Sequence, residues 1–264
     1  MLESILYPVL SIAGLSLLFG ALLGFSAKKF AVKVNPRVEE INDVLPGVNC
    51  GGCGFPGCAV FAEAVAEDKA SYKGCPAGGA STAAQIAKTM GIESVSSNRK
   101  TAFIKCNGMD DNVKRNYIYD GPVNCVAASQ LATGGNKSCR YSCIGLASCK
   151  NACPFDAIQI IDSIARVDAK KCTACGRCIP ACPKKLIEMV PESAKIRVVC
   201  NSRDKSRLVR TNCRAGCIGC TLCAKACDVG AITVTDNIAH IDYTLCTSCL
   251  KCVDKCPAKV IKVV

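Results

Sequence analysis

Cys246-Thr247-Ser248-Cys249-Leu250-Lys251-Cys252-Val253-Asp254-Lys255-Cys256-Pro257 decides how the chain is built, and Cys172-Thr173-Ala174-Cys175-Gly176-Arg177-Cys178-Ile179-Pro180-Ala181-Cys182-Pro183 repeats its spacing. In a C-x2-C-x2-C-x3-C-P run the first three thiolates hold one 4Fe-4S cluster and the fourth ligates the other cluster of a pair, so each run requires a second. Both partners are present. Cys217-x2-Cys220-x2-Cys223-x3-Cys227 answers the run at Cys246, and Cys139-x3-Cys143-x5-Cys149-x3-Cys153-Pro154 answers the run at Cys172.

Exchange of the fourth ligand assigns Cys217, Cys220, Cys223 and Cys256 to one cluster and Cys227, Cys246, Cys249 and Cys252 to its neighbour. The same rule gives Cys153, Cys172, Cys175 and Cys178 one cluster and Cys139, Cys143, Cys149 and Cys182 another. Sliding the chain by 74 residues lays Cys143, Cys149, Cys153, Cys172, Cys175, Cys178 and Cys182 on Cys217, Cys223, Cys227, Cys246, Cys249, Cys252 and Cys256, so the halves are duplicated. Under that slide Cys220 falls on Leu146, and the first module is expected to recruit Cys139 in place of the missing ligand.

Alternating segments lie between the paired runs: Ala157 to Ile160 with Ala165 to Val167, and Ala231 to Val234 with Ala239 to Ile241. They read as hairpin strands. Strand, cysteine loop, short helix and return strand, done twice, is a ferredoxin-like dicluster arrangement held by its clusters as much as by side chains. Phe155, Ile158 and Ile187 are expected over cluster faces, and His240 is expected to be structural.

Upstream, Cys50, Cys53, Cys58 and Cys75 follow a C-x2-C-x4-C-x16-C spacing, with glycines that let the loop backbone close around a cluster and an alanine-rich helical run from Ala59 to Asp68. Four cysteines then remain. Ala102 to Cys106 with Asn107 and Asp110 resembles Ile196 to Cys200 with Asn201 and Asp204, and each copy continues to one further cysteine, Cys125 or Cys213. Two half-sites with two thiols apiece make Cys106, Cys125, Cys200 and Cys213 a candidate sixth metal site, for a cluster or a structural zinc. A rival pairing follows from the slide, which matches Cys213 to Cys139 and offers Cys213 as a spare ligand of the second module.

The chain has 264 residues, of which 24 are cysteine and none tryptophan, so a large aromatic core is excluded. Regular cysteine grouping argues for metal sites in a reducing compartment over a disulfide scaffold. The formal charge of +12 treats every cysteine as neutral. An oxidised 4Fe-4S core with four thiolates carries about −2, so five or six clusters cancel roughly ten to twelve positive charges. Nucleic-acid binding is therefore not implied. From Ile5 to Ala27 no residue is charged, long enough for a membrane-spanning helix. Glu3 ahead of it and Lys28, Lys29 and Lys33 behind it differ from a secretory signal and predict a cytoplasmic C-terminal bulk. Gly20 and Gly24 form a small-xxx-small pair that would admit a neighbouring helix.

The expected fold class is α+β: an N-terminal transmembrane helix, a small helical 4Fe-4S domain, then two tandem ferredoxin-like dicluster modules. The expected segments are an anchor with basic flank (1–33), the helical domain (34–93), a connection with extra cysteines (94–136), the first module (137–192), a connection (193–212) and the second module (213–264). In that order the whole chain resembles the B subunit of the Rnf complex, a membrane ferredoxin:NAD oxidoreductase coupled to sodium or proton transport in bacteria and some archaea. The resemblance implies an electron-transfer subunit of a translocase, bound to the cell membrane. It would take electrons from reduced ferredoxin or flavodoxin and pass them to other membrane subunits of the complex. Asp228 stands where proline usually follows the fourth ligand, and the spacing at Cys139 is irregular. No dinucleotide fingerprint, P-loop or acid–base constellation is visible, so flavin and NAD are expected on other chains and no catalytic residue on this one. A polyferredoxin subunit of a membrane hydrogenase or formate dehydrogenase is the rival within electron transfer. A cluster-stabilised docking scaffold is the rival of another class.

Overall fold

A computed structural model describes residues 2–30, 35–93 and 99–264. Lys33 and the expected boundary between 93 and 94 touch residues outside these. Helix α1 (Leu2–Lys29) is long and apolar enough to cross a membrane, and the window Ile12–Lys29 buries none of its side chains in the rest of the chain. At 1.5 Å per residue its 28 residues extend about 42 Å.

The Asn35-Pro36 break is a helix start. The Asn35 side chain accepts the Arg37 N–H, and Pro36 takes the first helical position of α2 (Pro36–Val44), where a missing N–H costs nothing. Helices α3 (Cys58–Ala66) and α4 (Gly79–Met90) pack on α2 around Ile41, Phe61, Val65 and Ile86, all fully buried. Asn49 reaches forward nine residues to accept the Cys58 N–H at 2.8 Å, which ties the cysteine loop to the start of α3.

The two modules follow the same plan. The first contains β1 (Lys100–Ile104), α5 (Cys125–Ser129), α6 (Ser148–Asn151), β2 (Ile158–Ile161), β3 (Ile164–Val167) and β4 (Ile187–Pro191). The second contains β5 (Ile196–Val198), α7 (Ser206–Asn212), α8 (Leu222–Lys225), β6 (Ile232–Thr235), β7 (Ile238–Ile241), α9 (Lys251–Asp254) and β8 (Ile261–Val263). The hairpins β2–β3 and β6–β7 fall where alternation predicts them. Their turns, Asp162-Ser163 and Asp236-Asn237, have positive φ at both central residues, the geometry that matches the twist of paired strands.

The remaining strands alter the expected boundaries. β1 pairs antiparallel with β4, Ala102 opposite Met189, and β5 pairs with β8, Arg197 opposite Lys262. The stretches 94–136 and 193–212, expected as connections, thus contribute the first strand of each module. The reason is backbone satisfaction, since β4 and β8 would otherwise leave a row of N–H and C=O groups unpaired. One core gathers Ile104, Ile158, Ile164, Leu186 and Ile187; the other gathers Ile196, Val198, Ile232, Ile238, Val260 and Ile261. Cysteines belong to both cores. His240 lies on β7 opposite Thr233, with burial holding its pKa below the usual range.

The modules are joined by backbone and by one buried cation. Val113 bridges to Cys213, and the Arg214 N–H donates to the Asn112 carbonyl at 2.8 Å. Arg197 of β5 is 3% exposed, with its guanidinium 5.4 Å from the Phe103 ring of β1 and 5.9 Å from that of Tyr243.

Duplication extends to steric detail. Gly145 has φ +86°, and an added Cβ would lie 2.4 Å from the Ser163 carbonyl oxygen; its mate Gly219 has φ +65° and more room, 3.2 Å to Asn237 backbone. Gly145→Ala is expected to cost about 2–3 kcal/mol and Gly219→Ala less, read from denaturation midpoints of the two variants.

Candidate iron–sulfur sites

Cavities gather the cysteines in quartets. Cys50, Cys53, Cys58 and Cys75 line one inside the helical domain. Cys153, Cys172, Cys175 and Cys178 line a second against Phe155 and Ile158, and Cys217, Cys220, Cys223 and Cys256 a third. Cys246 and Cys249 are close enough to raise the pKa of Cys252, and Cys227 and Cys246 pack on the same core.

Two expected sets change. Cys139 does not join Cys143, Cys149 and Cys182; it lines a cavity with Cys106, Cys200 and Cys213 at the junction of the modules. Cys125 leaves the proposed sixth set and lies beside Cys149, whose surroundings are Cys143, Cys182, Cys125 and the neighbouring Cys178. The exchange has a local cause. Leu146 occupies the place of the missing ligand, and α5 packs Cys125 and Ala128 against Ile144 and Leu146. The Ser148 hydroxyl accepts the Cys125 N–H at 2.8 Å and pins that helix start next to Cys149. The 74-residue slide already carried the signal, since it makes Cys139 and Cys213 equivalent, and equivalents share the junction cavity.

Whether these quartets suit 4Fe-4S clusters is tested by what surrounds the sulfurs. Backbone N–H groups point at them: Gly78 to Cys75, Ala102 to Cys172, Ala157 to Cys153, Ala165 to Cys143 and Val260 to Cys256, all at 3.3–3.4 Å. Cys106 accepts from Gly108 and Cys143, and Cys200 accepts from Ser202 and Cys217, again at 3.3–3.4 Å. Such donors stabilise thiolate and the extra charge of a reduced cluster. Among the described residues, no three His, Cys, Asp or Glu side chains converge closely enough to hold one ion. Thiols spread around a cavity suit a polynuclear group better than a single zinc.

Burial pushes the thiol pKa of Cys139, Cys143, Cys200 and Cys213 up to about 11, and those of Cys149 and Cys178 up to about 12. Without metal these thiols stay protonated at neutral pH, and loading must release their protons. The folded-state pKa lies above the unfolded value, so above about pH 9 the unfolded chain binds fewer protons than the folded one. The cluster-free chain should therefore lose stability steadily between pH 8 and pH 11, while the loaded chain, its thiols already deprotonated, should show no such slope in urea titrations.

Three family descriptions match the chain: an iron–sulfur cluster family over residues 45–77, the LdpA Fe-S cluster-binding domain over 139–193, and the 4Fe-4S dicluster domain over 216–260. The chain is 45% identical over 258 residues to the B subunit of the Na(+)-translocating ferredoxin:NAD(+) oxidoreductase complex of Acetobacterium woodii, covering 97% of this chain and 77% of that protein. It belongs to the B-subunit family of Rnf-type complexes. The B subunit of the ion-translocating oxidoreductase complex of Methanosarcina acetivorans is 39% identical, with 95% of each chain covered. That of the proton-translocating ferredoxin:NAD(+) oxidoreductase complex of Clostridium ljungdahlii is 41% identical over 97% of this chain and 90% of that protein. As a member of this family the chain is an iron–sulfur electron-transfer component of an oxidoreductase complex.

The corrected partition separates cleanly in substitution. Cys125→Ser should disturb the quartet of Cys143, Cys149 and Cys182 and leave the junction intact, whereas Cys139→Ser should do the reverse. Each should lose about four irons per chain, and the two together about eight.

Proposed function

We propose that this protein carries single electrons along six 4Fe-4S sites, from reduced ferredoxin or flavodoxin to partner subunits that reduce NAD and move ions. The reading rests chiefly on one observation. The junction quartet touches a quartet of each module through ligand backbone, because the Cys143 N–H donates to Cys106 Sγ and the Cys217 N–H to Cys200 Sγ. The helical domain abuts the first module in the same way, with Gly52 so close to Cys175 that an added Cβ would lie 2.6 Å from its carbonyl oxygen. Proximity of Cys178 to Cys149 and of Cys223 to Cys252 links the paired quartets within each module.

A 4Fe-4S cluster supplies one-electron transfer when bound. The residues do the rest. Cys143, Cys149, Cys182 and Cys125 would hold one group; Cys106, Cys139, Cys200 and Cys213 another; and the three cavity-lining quartets with the Cys227 set the remaining four. Apolar side chains such as Phe155 and Ile158 exclude water from the sulfur faces. Cys220 and Cys249 are exposed, with exposed Lys225, Lys255 and Lys259 on the same module, which favours entry of electrons there from a small acidic donor. The anchor α1 would hold the soluble part on the cytoplasmic side of a cell membrane, its open glycine face at Gly20 and Gly24 available to membrane partners.

The test is reduction of the purified complex by reduced ferredoxin, with iron and acid-labile sulfide counted on this chain. About 24 irons per chain are expected, against about 20 if the junction is not loaded. An iron-loaded chain that ferredoxin cannot reduce would remove the electron-carrier reading.

A further inference from the structure

Lys137 departs from the repeat and is buried where the two modules meet. Its side chain is 2% exposed, and Nζ donates to the Gly108 and Ser163 carbonyls, both at 2.8 Å. Those carbonyls belong to segments that feed the sulfurs. The Gly108 N–H donates to Cys106 Sγ, and two residues beyond Ser163 the Ala165 N–H donates to Cys143 Sγ. The ammonium thus grips both loops at the contact between the junction quartet and the first module's quartet. Burying a charge on carbonyls alone is costly unless a compensating charge lies close.

Other charges in the neighbourhood are already committed. Asp110 accepts from Arg115 Nε at 3.0 Å and Nη2 at 2.6 Å, and from the Ser163 hydroxyl at 2.7 Å. Arg115 pairs with the Lys137 backbone as an isolated bridge, so the whole group is a fixed structure. Burial holds the Lys137 pKa below the usual lysine range, the nearby Cys106, Cys143 and Asp110 work against that shift, and Lys137 in turn acts on Cys213. The 74-residue repeat sets Lys137 against Thr211, which is exposed on α7 with its hydroxyl donating to the Arg207 carbonyl, so no cation is buried at the equivalent position. Cys143 therefore has a buried cation close by, whereas Arg214, three residues before its mate Cys217, is exposed to solvent.

Building on the six-site reading above, we infer that Lys137 is a positioning residue whose buried charge makes the Cys106 and Cys143 sites easier to reduce, favouring passage of electrons from the second module into the first. The step is a single electron transfer. With clusters bound, one electron would pass from the site of Cys217 to that of Cys106, with no proton moved and no bond broken. A nearby positive charge favours the form with the added electron.

Redox titration of the intact complex, followed by electron paramagnetic resonance, tests this in wild type, K137M, K137Q and K137R. Signals are assigned by their loss in C106S and C143S. In K137M and K137Q the signals of the Cys106 and Cys143 sites should shift to lower potential with iron content unchanged, those of the Cys50 site should stay, and K137R should restore wild-type values. Full iron with unmoved potentials in both neutral variants would overturn the proposal, as would a K137R protein that behaves like K137M. Iron loss in both neutral variants with the remaining signals unmoved would mark Lys137 as a folding residue and equally overturn it. A wild-type count of about 20 irons would instead fault the six-site reading, and the Cys143 signal would still decide the role of Lys137.

Discussion

Gathering four thiolates in a protein interior concentrates negative charge where water is scarce, and every level of this structure answers to that constraint. The answer is mostly made by the main chain. N–H groups from turns and strand starts point at Cys75, Cys106, Cys143, Cys153, Cys172, Cys200 and Cys256, which limits how the loops can run. Glycines with positive φ and residues such as Asn49 and Asp156 in the left-handed region keep these loops tight. The apolar core can then be modest, because metal ligation contributes folding energy that side-chain packing in a chain with seven phenylalanines cannot.

Closure of each module by its first and last strands has a consequence beyond stability. Once β1 lies on β4 and β5 on β8, the residues that follow β1 and β5 emerge on facing sides of the junction, and Cys106 and Cys200 meet there. Each receives the same pair of donors, one from two residues ahead and one from a ligand of its own module. A near-symmetric site results. It also explains why Cys139 and Cys213, equivalent in the repeat, face each other across that cavity. The symmetry is broken by charge, since Lys137 is buried and its equivalent in the repeat, Thr211, is exposed and neutral.

Much of the candidate site was legible in the sequence because cluster ligation is local: a C-x2-C-x2-C loop can only wrap one way, and the exchanged fourth ligand obeys a fixed rule. The hairpins were legible for the same kind of reason, since alternation and two-residue turns act over short range. The length and apolarity of α1 and the family membership were equally plain. Less local features escaped. The partners of β4 and β8 lie about 60 to 90 residues away in the chain, and no period in the sequence announces them.

Cysteine spacing by itself thus determined that the chain carries iron–sulfur domains in a duplicated arrangement. Only the tertiary structure shows Cys125 beside Cys149 and Cys139 in one cavity with Cys106, Cys200 and Cys213. Both are orphans in sequence, without a neighbour at a diagnostic distance, and their roles depend on where a helix start and a bridging segment are carried by packing. Leu146 against Cys125, and Val113 paired with Cys213, are contacts between distant segments. Long-range contact fixes these ligands because four sulfurs around one cavity must come from strands that meet only when both modules have closed.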